Sequence, residues 1–439
     1  MSYKAFVWGG VLSATLAVGG VAQGQQVVDY YLNHGFTNNC HIFDGREDLG
    51  GTAKGTLNCT LSTAQPSNPS DWLNFAQWTQ TAANTVRAGT YDSDNSTLSA
   101  QGQQLYDSIN QGSLTTPFVL LGHSQGGLRA RDYIQLKAGA GNPNLKALIT
   151  IGTPHAGTPI VNGVRSIISQ IRNNLSVASF GISELFVIGY GGVDNILTKL
   201  VAGNPVAQSA GLDPAIINSL GAQELTVGST ALETLNNIGT YCRWEYQGWW
   251  IFGQWVQICQ KQPNQFPVLP ASLKVLSVVG TNNNLYEYAP EALPLVLGYL
   301  NTVRNVQGAS CTIGVVFLIG IPACISLGDL NGLLSNLPTV YQDRIVGSRE
   351  GDAFINKYSQ NVYSANPFLG GNGFYREIYA THSGNPARAE LEIGGTRNKI
   401  REFQGLVGLK EGIVQPACKK WPSSPSDVVE ASNCLPFSP

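Results

Sequence analysis

The chain has 439 residues, 43% of them apolar and only 12% charged, where roughly 25% charged is usual. That supports a large buried core and a surface of low charge density. The formal net charge of −2 argues against a nucleic-acid partner, which calls for a basic patch to neutralise phosphates.

The chain opens Met1-Ser2-Tyr3-Lys4, runs without charge from Ala5 to Ala22, and leaves through small residues into Gln23-Gly24. A short positive start, an apolar stretch and a small-residue exit describe a secretory signal peptide over residues 1–24, with a membrane anchor of marginal length as the alternative. Val27 to Leu32 is a strand-like run ending in Asn33-His34-Gly35-Phe36. Helical spacing follows over 71–86, where Ser70 stands as N-cap and Trp72, Phe75, Trp78 and Ala82 share one face. A short strand is predicted over 86–91 and a helix over 97–109. Pro117 to Leu121 is a compact apolar run of the buried-strand type that leads directly into Gly122-His123-Ser124-Gln125-Gly126. A helix over 128–138 and a buried strand over 145–151 complete a βαβ rhythm, which implies a parallel sheet with helices on both faces.

The rhythm then changes. Residues 161–238 hold weakly amphipathic helical segments, 164–171 and 193–201 among them, and no evident strand. An aromatic cluster from Trp244 to Trp255 has the look of a hairpin, with Trp249 and Trp250 at its centre. Leu273 to Val279 resumes the buried-strand pattern, residues 285–340 form a second insertion, and 405–439 form a tail. The organisation expected is therefore a first core half over 25–160, a helical and Trp-rich insertion over 161–272, a second core half over 273–404 interrupted at about 285–340, and the tail.

Eight cysteines fall as four neighbouring pairs, each enclosing 12 to 18 residues. In an exported chain these are read as disulfides Cys40–Cys59, Cys242–Cys259, Cys311–Cys324 and Cys418–Cys434, each contributing up to about 3 kcal/mol by restricting the unfolded state. With five histidines and no Cys-x-x-Cys, no metal site and no cofactor are expected.

The pentapeptide around Ser124 carries the chemistry. Gly-x-Ser-x-Gly between a strand and a helix puts a serine on a sharp turn with its Oγ above the sheet, where the amides at the start of the next helix favour developing negative charge. Ser124 is the expected nucleophile, and the backbone amides of Gln125 and Phe36 are the expected oxyanion hole. The base must be a histidine, which accepts and returns a proton near neutral pH. His34 lies in the oxyanion loop, His41 beside a cysteine, His123 next to the nucleophile, and His155 after the following strand. His382, late and in a loop, fits the order serine, acid, histidine. For the acid, Asp343 in Gln342-Asp343-Arg344-Ile345-Val346 ranks first, on its turn followed by an apolar pair, with Asp352 second and Asp329 third.

The segments Asn33-His34-Gly35-Phe36, Gly122 to Gly127, Gly152-Thr153-Pro154-His155-Ala156-Gly157 and Asp343-Arg344-Ile345-Val346 resemble bacterial lipases and, more loosely, the lipase-like esterases that include GPI inositol-deacylase. The resemblance covers about a third of the chain, and Arg344 stands where the acid segment of such lipases has glycine. It implies an α/β-hydrolase fold, with a mostly parallel central sheet flanked by helices and with residues 160–238 as a helical lid over the site, to which the aromatic cluster adds the disulfide-bearing hairpin insertion. It also implies ester hydrolysis through an acyl-enzyme, on a lipid or other acyl-ester substrate, with transient contact at a lipid interface. Calcium binding, found in some related lipases, is not carried over, because no ligand cluster is present. The place of action expected is outside the cell or in a periplasm. An acyltransferase with the same three residues, a non-catalytic binding module on the same fold and, less favoured, a peptidase are the rival readings.

Overall fold

The apolar runs over residues 29–151 and 274–280 pair edge to edge, as buried runs bounded by turn residues do when helices cover both faces. The computed structural model describes residues 29–36, 39–43, 59–61, 86–111, 116–137, 141–179, 218–247, 254–264, 266–284, 298, 301, 304–305, 307, 311, 321–365, 372–378, 381–382, 418–420 and 428–429. The segment 1–24 read as a signal peptide, most of the helix predicted over 71–86, the segment 193–201, Trp249, Trp250 and Cys434 lie outside the described residues.

In chain order the elements are β1 (Asp29–Asn33), β2 (Val86–Gly89), α1 (Leu98–Gln111), β3 (Phe118–His123), α2 (Gln125–Leu136), β4 (Leu145–Ile151), α3 (Ile160–Ser179), α4 (Leu220–Glu224), α5 (Thr230–Leu235), β5 (Ile238–Gln247), β6 (Gln254–Pro263) and β7 (Lys274–Gly280). They continue with α6 (Ile321–Ser335), α7 (Leu337–Tyr341), a π-helical turn (Gln342–Val346), α8 (Lys357–Gln360), α9 (Val362–Ala365), β8 (Asn372–Ile378), β9 (Cys418–Lys420) and β10 (Val428–Val429).

One eight-stranded sheet has the order β10-β9-β8-β7-β4-β3-β1-β2. From β2 to β8 every neighbouring pair is parallel, and β9 and β10 add an antiparallel edge. The chain therefore has the α/β-hydrolase fold that its sequence implies, with β3 in the interior of the sheet. Parallel strands end on one side, so the segments after β1, β3, β4 and β7 gather at a single carboxyl edge, the usual place for a site in an open α/β sheet. Phe118, Leu120, Leu148 and Val275 pack with Leu105 of α1 and with Tyr133 and Ile134 of α2 in one buried cluster.

Three features differ from the sequence reading. The helix predicted to begin at 128 begins at Gln125, directly after the serine, because Gly126 and Gly127, poor helix formers by propensity, are needed there for close packing. The hairpin is longer than its aromatic cluster and forms a separate two-stranded sheet, with Cys242 opposite Cys259. The tail supplies two short strands to the main sheet. Disulfides join Cys40–Cys59, Cys242–Cys259 and Cys311–Cys324.

The part of the insertion that follows residue 217 is bolted to the core. Gly221 N–H donates to the Asp94 carbonyl at 3.0 Å, Thr158 N–H to Leu225 at 2.8 Å, and Asn236 Nδ2 to His155 at 2.7 Å. The Glu224 carboxylate accepts from the first amide of α1, at Leu98.

On α2, Asp132 is buried and its Oδ2 has no hydrogen-bond partner. Burial pushes its carboxyl up to about 7, with Lys137 pulling down and Glu224 adding to the rise. The unfolded chain ionises near pH 4 while the folded chain keeps the proton until about 7, so this group costs stability progressively as pH rises across that window. Asp132→Asn is expected to raise the urea midpoint at pH 8, by the equivalent of about 2–4 kcal/mol, and to change it little at pH 4. Equal midpoints for the two proteins at pH 8 would contradict this account.

Candidate active site

β3 delivers Ser124 to the carboxyl edge through a turn no ordinary residue prefers. Ser124 has φ 53° and ψ −129°, a strained conformation of the kind that surrounding structure must impose. The neighbouring glycines show how. A Cβ on Gly122 would lie 2.4 Å from the Gly127 nitrogen, and one on Gly126 would lie 2.2 Å from the Asn33 carbonyl oxygen. Backbone meets backbone at both places, so the first turn of α2 closes onto β3 and β1 and holds the serine up.

Ser124, His382 and Asp352 form a hydrogen-bonded line. Ser124 Oγ lies 3.0 Å from His382 Nε2, and His382 Nδ1 lies 2.8 Å from Asp352 Oδ2. The Nδ1 proton therefore goes to the carboxylate, leaving Nε2 to accept from the serine. Asp352 is itself anchored: Oδ1 accepts from Phe354 N–H at 3.1 Å and from Ile355 N–H at 2.7 Å. Ala353, with φ 67°, turns the chain so that both amides reach that oxygen. The backbone closes the same contact, with His382 N–H donating to the Asp352 carbonyl at 2.7 Å.

The structure places Asp352, the second-ranked candidate, against His382, and does not bring Asp343, the first-ranked, to it. Asp343 is 53% exposed and has Arg349 as its charged neighbour, at 3.9 Å. It lies on the π-helical turn whose Ile345 and Val346 are buried. Burying that apolar pair directs Asp343 outward to solvent. Arg344 reaches Gln170 of α3 at 2.7 Å, so the Asp-Arg-Ile-Val segment props α3. Asp329 is exposed on α6. The local signal that marks Asp352 is weak, an aspartate followed by amides that turn back to its own side chain.

Two more residues flank the imidazole of His382. The Phe354 ring is stacked on it, 4.8 Å between centroids, and the His123 ring lies 5.1 Å away. His123 Nε2–H donates to the His382 carbonyl at 3.2 Å. Burial, and secondarily the charge of His382, pushes His123 down to about 3, so it stays a neutral brace. His155 is buried below the site, with Nδ1 3.3 Å from Arg131 Nη1 and Nε2 3.2 Å from Thr150 Oγ1. Burial, with Arg131 beside it, holds its pKa well below the usual value. His41 lies in a 3-10 turn next to Cys40.

The two residues expected to supply the oxyanion donors lie on the two segments next to the serine, the start of α2 and the loop after β1. Gln125 is the first residue of α2, where a backbone N–H has no intrahelical acceptor. The loop 34–36 passes directly over the nucleophile, since a Cβ on Gly35 would lie 2.8 Å from Ser124 Cβ. Phe36 is buried on that loop. Such an arrangement is chemically equipped to activate a hydroxyl, hold an oxyanion and return a proton. Among the described residues no group of three or more His, Cys, Asp or Glu side chains is placed to hold a metal ion.

A central parallel sheet with a strained serine at the strand-to-helix turn is the arrangement of an α/β-hydrolase fold. The chain matches the family model described as palmitoyl protein thioesterase over residues 58–191, a span that includes Ser124. Similar solved structures include the mature Bacillus licheniformis lipase BlEst2, at 11% identity and a TM-score of 0.39, covering 87% of this chain and 91% of that one. Phospholipase PlaB from Legionella pneumophila is similar at 11% identity and a TM-score of 0.29, covering 72% of this chain and 64% of that one. No curated protein sequence matches the chain.

Proposed function

We propose that this chain is an exported serine hydrolase that cleaves acyl esters of lipids, with Ser124 as nucleophile, His382 as base and Asp352 as the acid that orients it. The observation that carries this reading is the unbroken line from Ser124 Oγ through His382 to the buried Asp352 carboxylate, at 3.0 and 2.8 Å. His382 Nε2 takes the proton of Ser124 as Oγ bonds to the acyl carbon. The Phe36 and Gln125 amides hold the oxyanion. Collapse of the tetrahedral intermediate breaks the bond to the leaving group, which receives the proton from Nε2. Water, deprotonated by the same nitrogen, then attacks the acyl-enzyme and releases the acid. Export is supported by the leader-like N-terminus and by three disulfides, which persist in oxidising compartments. The low charge density supports work at a lipid interface.

The palmitoyl protein thioesterase match favours a second reading, in which the leaving group is a thiol. The same residues serve both chemistries. Hydrolysis of p-nitrophenyl esters and of S-acyl thioesters, each in a series of chain lengths, distinguishes them. A higher kcat/KM for oxyesters is expected, with long acyl chains preferred, and Ser124→Ala is expected to lose activity by a factor on the order of 10⁴ or more. Undiminished turnover by Ser124→Ala would overturn the nucleophile assignment, and thioester preference would select the second reading. Adding an acceptor alcohol and measuring the ester formed separates hydrolysis from acyl transfer.

A further inference from the structure

The first two turns of α2 bury an arginine whose hydrogen bonds all go to neutral oxygens. Arg129 Nε and Nη2 donate to Gln101 Oε1 of α1, at 3.1 and 2.7 Å, and Nη1 donates to the His34 carbonyl at 3.1 Å. Its guanidinium lies over the Tyr91 ring, 3.9 Å from the centroid. A buried cation without a carboxylate partner is costly, and an apolar side chain of similar volume would serve stability as well or better. What Arg129 holds is the peptide between His34 and Gly35, the root of the loop that crosses Ser124.

The next peptide is held by His34 itself. Tyr91 N–H donates to His34 Nε2 at 2.8 Å, which places the ring proton on Nδ1, and Nδ1 lies 2.7 Å from the Gly35 carbonyl. Burial, and then the charge of Arg129, keeps His34 well below the usual histidine range, so the neutral tautomer persists. In a trans peptide the N–H points opposite to the C=O. Fixing the Gly35 carbonyl toward His34 therefore fixes the direction of the Phe36 N–H, on the far side of the same plane.

We propose that Arg129 and His34 are positioning residues that together aim the Phe36 amide at the oxyanion, Arg129 by anchoring the His34–Gly35 peptide and His34 by anchoring the Gly35–Phe36 peptide. The inference rests on the serine-hydrolase reading above. It predicts a loss confined to the state in which an oxyanion exists. The test is Arg129→Met and Arg129→Lys, together with His34→Ala and His34→Asn, whose side-chain amide restores a donor to the Gly35 carbonyl.

Each variant is assayed for kcat, KM and pH profile on a p-nitrophenyl ester, and for inhibition by a trifluoromethyl ketone, which forms a tetrahedral oxyanion with the serine. Arg129→Met is expected to lose about 10²-fold in kcat, the scale of one oxyanion donor, with KM within about threefold. Its inhibition constant for the ketone should rise in step, and the pH profile should stay in place. Arg129→Lys and His34→Asn should recover part of the loss relative to Arg129→Met and His34→Ala. A wild-type kcat in Arg129→Met, or an unchanged ketone affinity beside a shifted pH profile, would overturn the proposal. If Arg129→Met does not fold, the His34 pair decides: equal kcat in Ala and Asn overturns it, and recovery in Asn upholds it. Failure of the hydrolase reading looks different, since wild type would then turn over no ester and bind no ketone.

Discussion

Asp352→Asn is expected to lower kcat/KM by about 10⁴-fold, while Asp343→Asn stays within about twofold of wild type. Asp352 uses both carboxylate oxygens: one holds His382 Nδ1 at 2.8 Å, and the other accepts the Phe354 and Ile355 amides. An asparagine keeps the turn only by leaving its oxygen on those amides, which turns its NH2 toward His382. The imidazole must then accept at Nδ1 and carry its proton on Nε2, facing Ser124, where it no longer takes the serine proton. The loss is thus one of tautomer with geometry intact, so KM and thermal stability should change little while kcat collapses. Asp343 is exposed and 3.9 Å from Arg349, so no such loss is expected of it. Steady-state kinetics on the two variants decides the matter, and a larger loss in Asp343→Asn would return the acid to the place that sequence resemblance indicates.

Gly126→Ala is expected to destabilise the fold by more than about 3 kcal/mol, measured as the urea midpoint or seen as failure to accumulate as soluble protein. The added Cβ would lie 2.2 Å from the Asn33 carbonyl oxygen and 2.6 Å from that of His34. Neither is a flexible side chain. Both belong to the end of β1, which is pinned between β2 and β3, and to the loop that Arg129 grips. Relief requires that α2 lift off the sheet or that β1 shift, and either movement displaces Ser124 from His382. Gly141→Ala is the control. A Cβ there meets nothing within 4 Å, and its effect should stay within about 0.5 kcal/mol. If the two alanines proved equally tolerated, the close packing of strand β1 against the elbow would be wrong.

Much of the molecule is written in local sequence. Buried parallel strands are nearly continuous apolar runs, so β1, β3, β4 and β7 stand out, and with them the βαβ order and the place of Ser124 at a strand-to-helix junction. The serine motif also points to a histidine downstream, and His382 is the one that meets it. The short edge strands β9 and β10 leave no such mark, because three residues and two residues at an edge are too few to show a period. The acid could not be chosen from spacing, since what a triad acid needs is a position in space relative to an imidazole. Tertiary packing supplies that position at Asp352 and removes it from Asp343, whose buried neighbours Ile345 and Val346 turn it to solvent. The same holds for Arg129. In the sequence it is an ordinary helical arginine, and only the contact between α2, α1 and the loop after β1 makes it a buried cation on the His34 carbonyl. The chemistry is legible in residue types and order, while the partners within that chemistry are decided by which backbone lies against which.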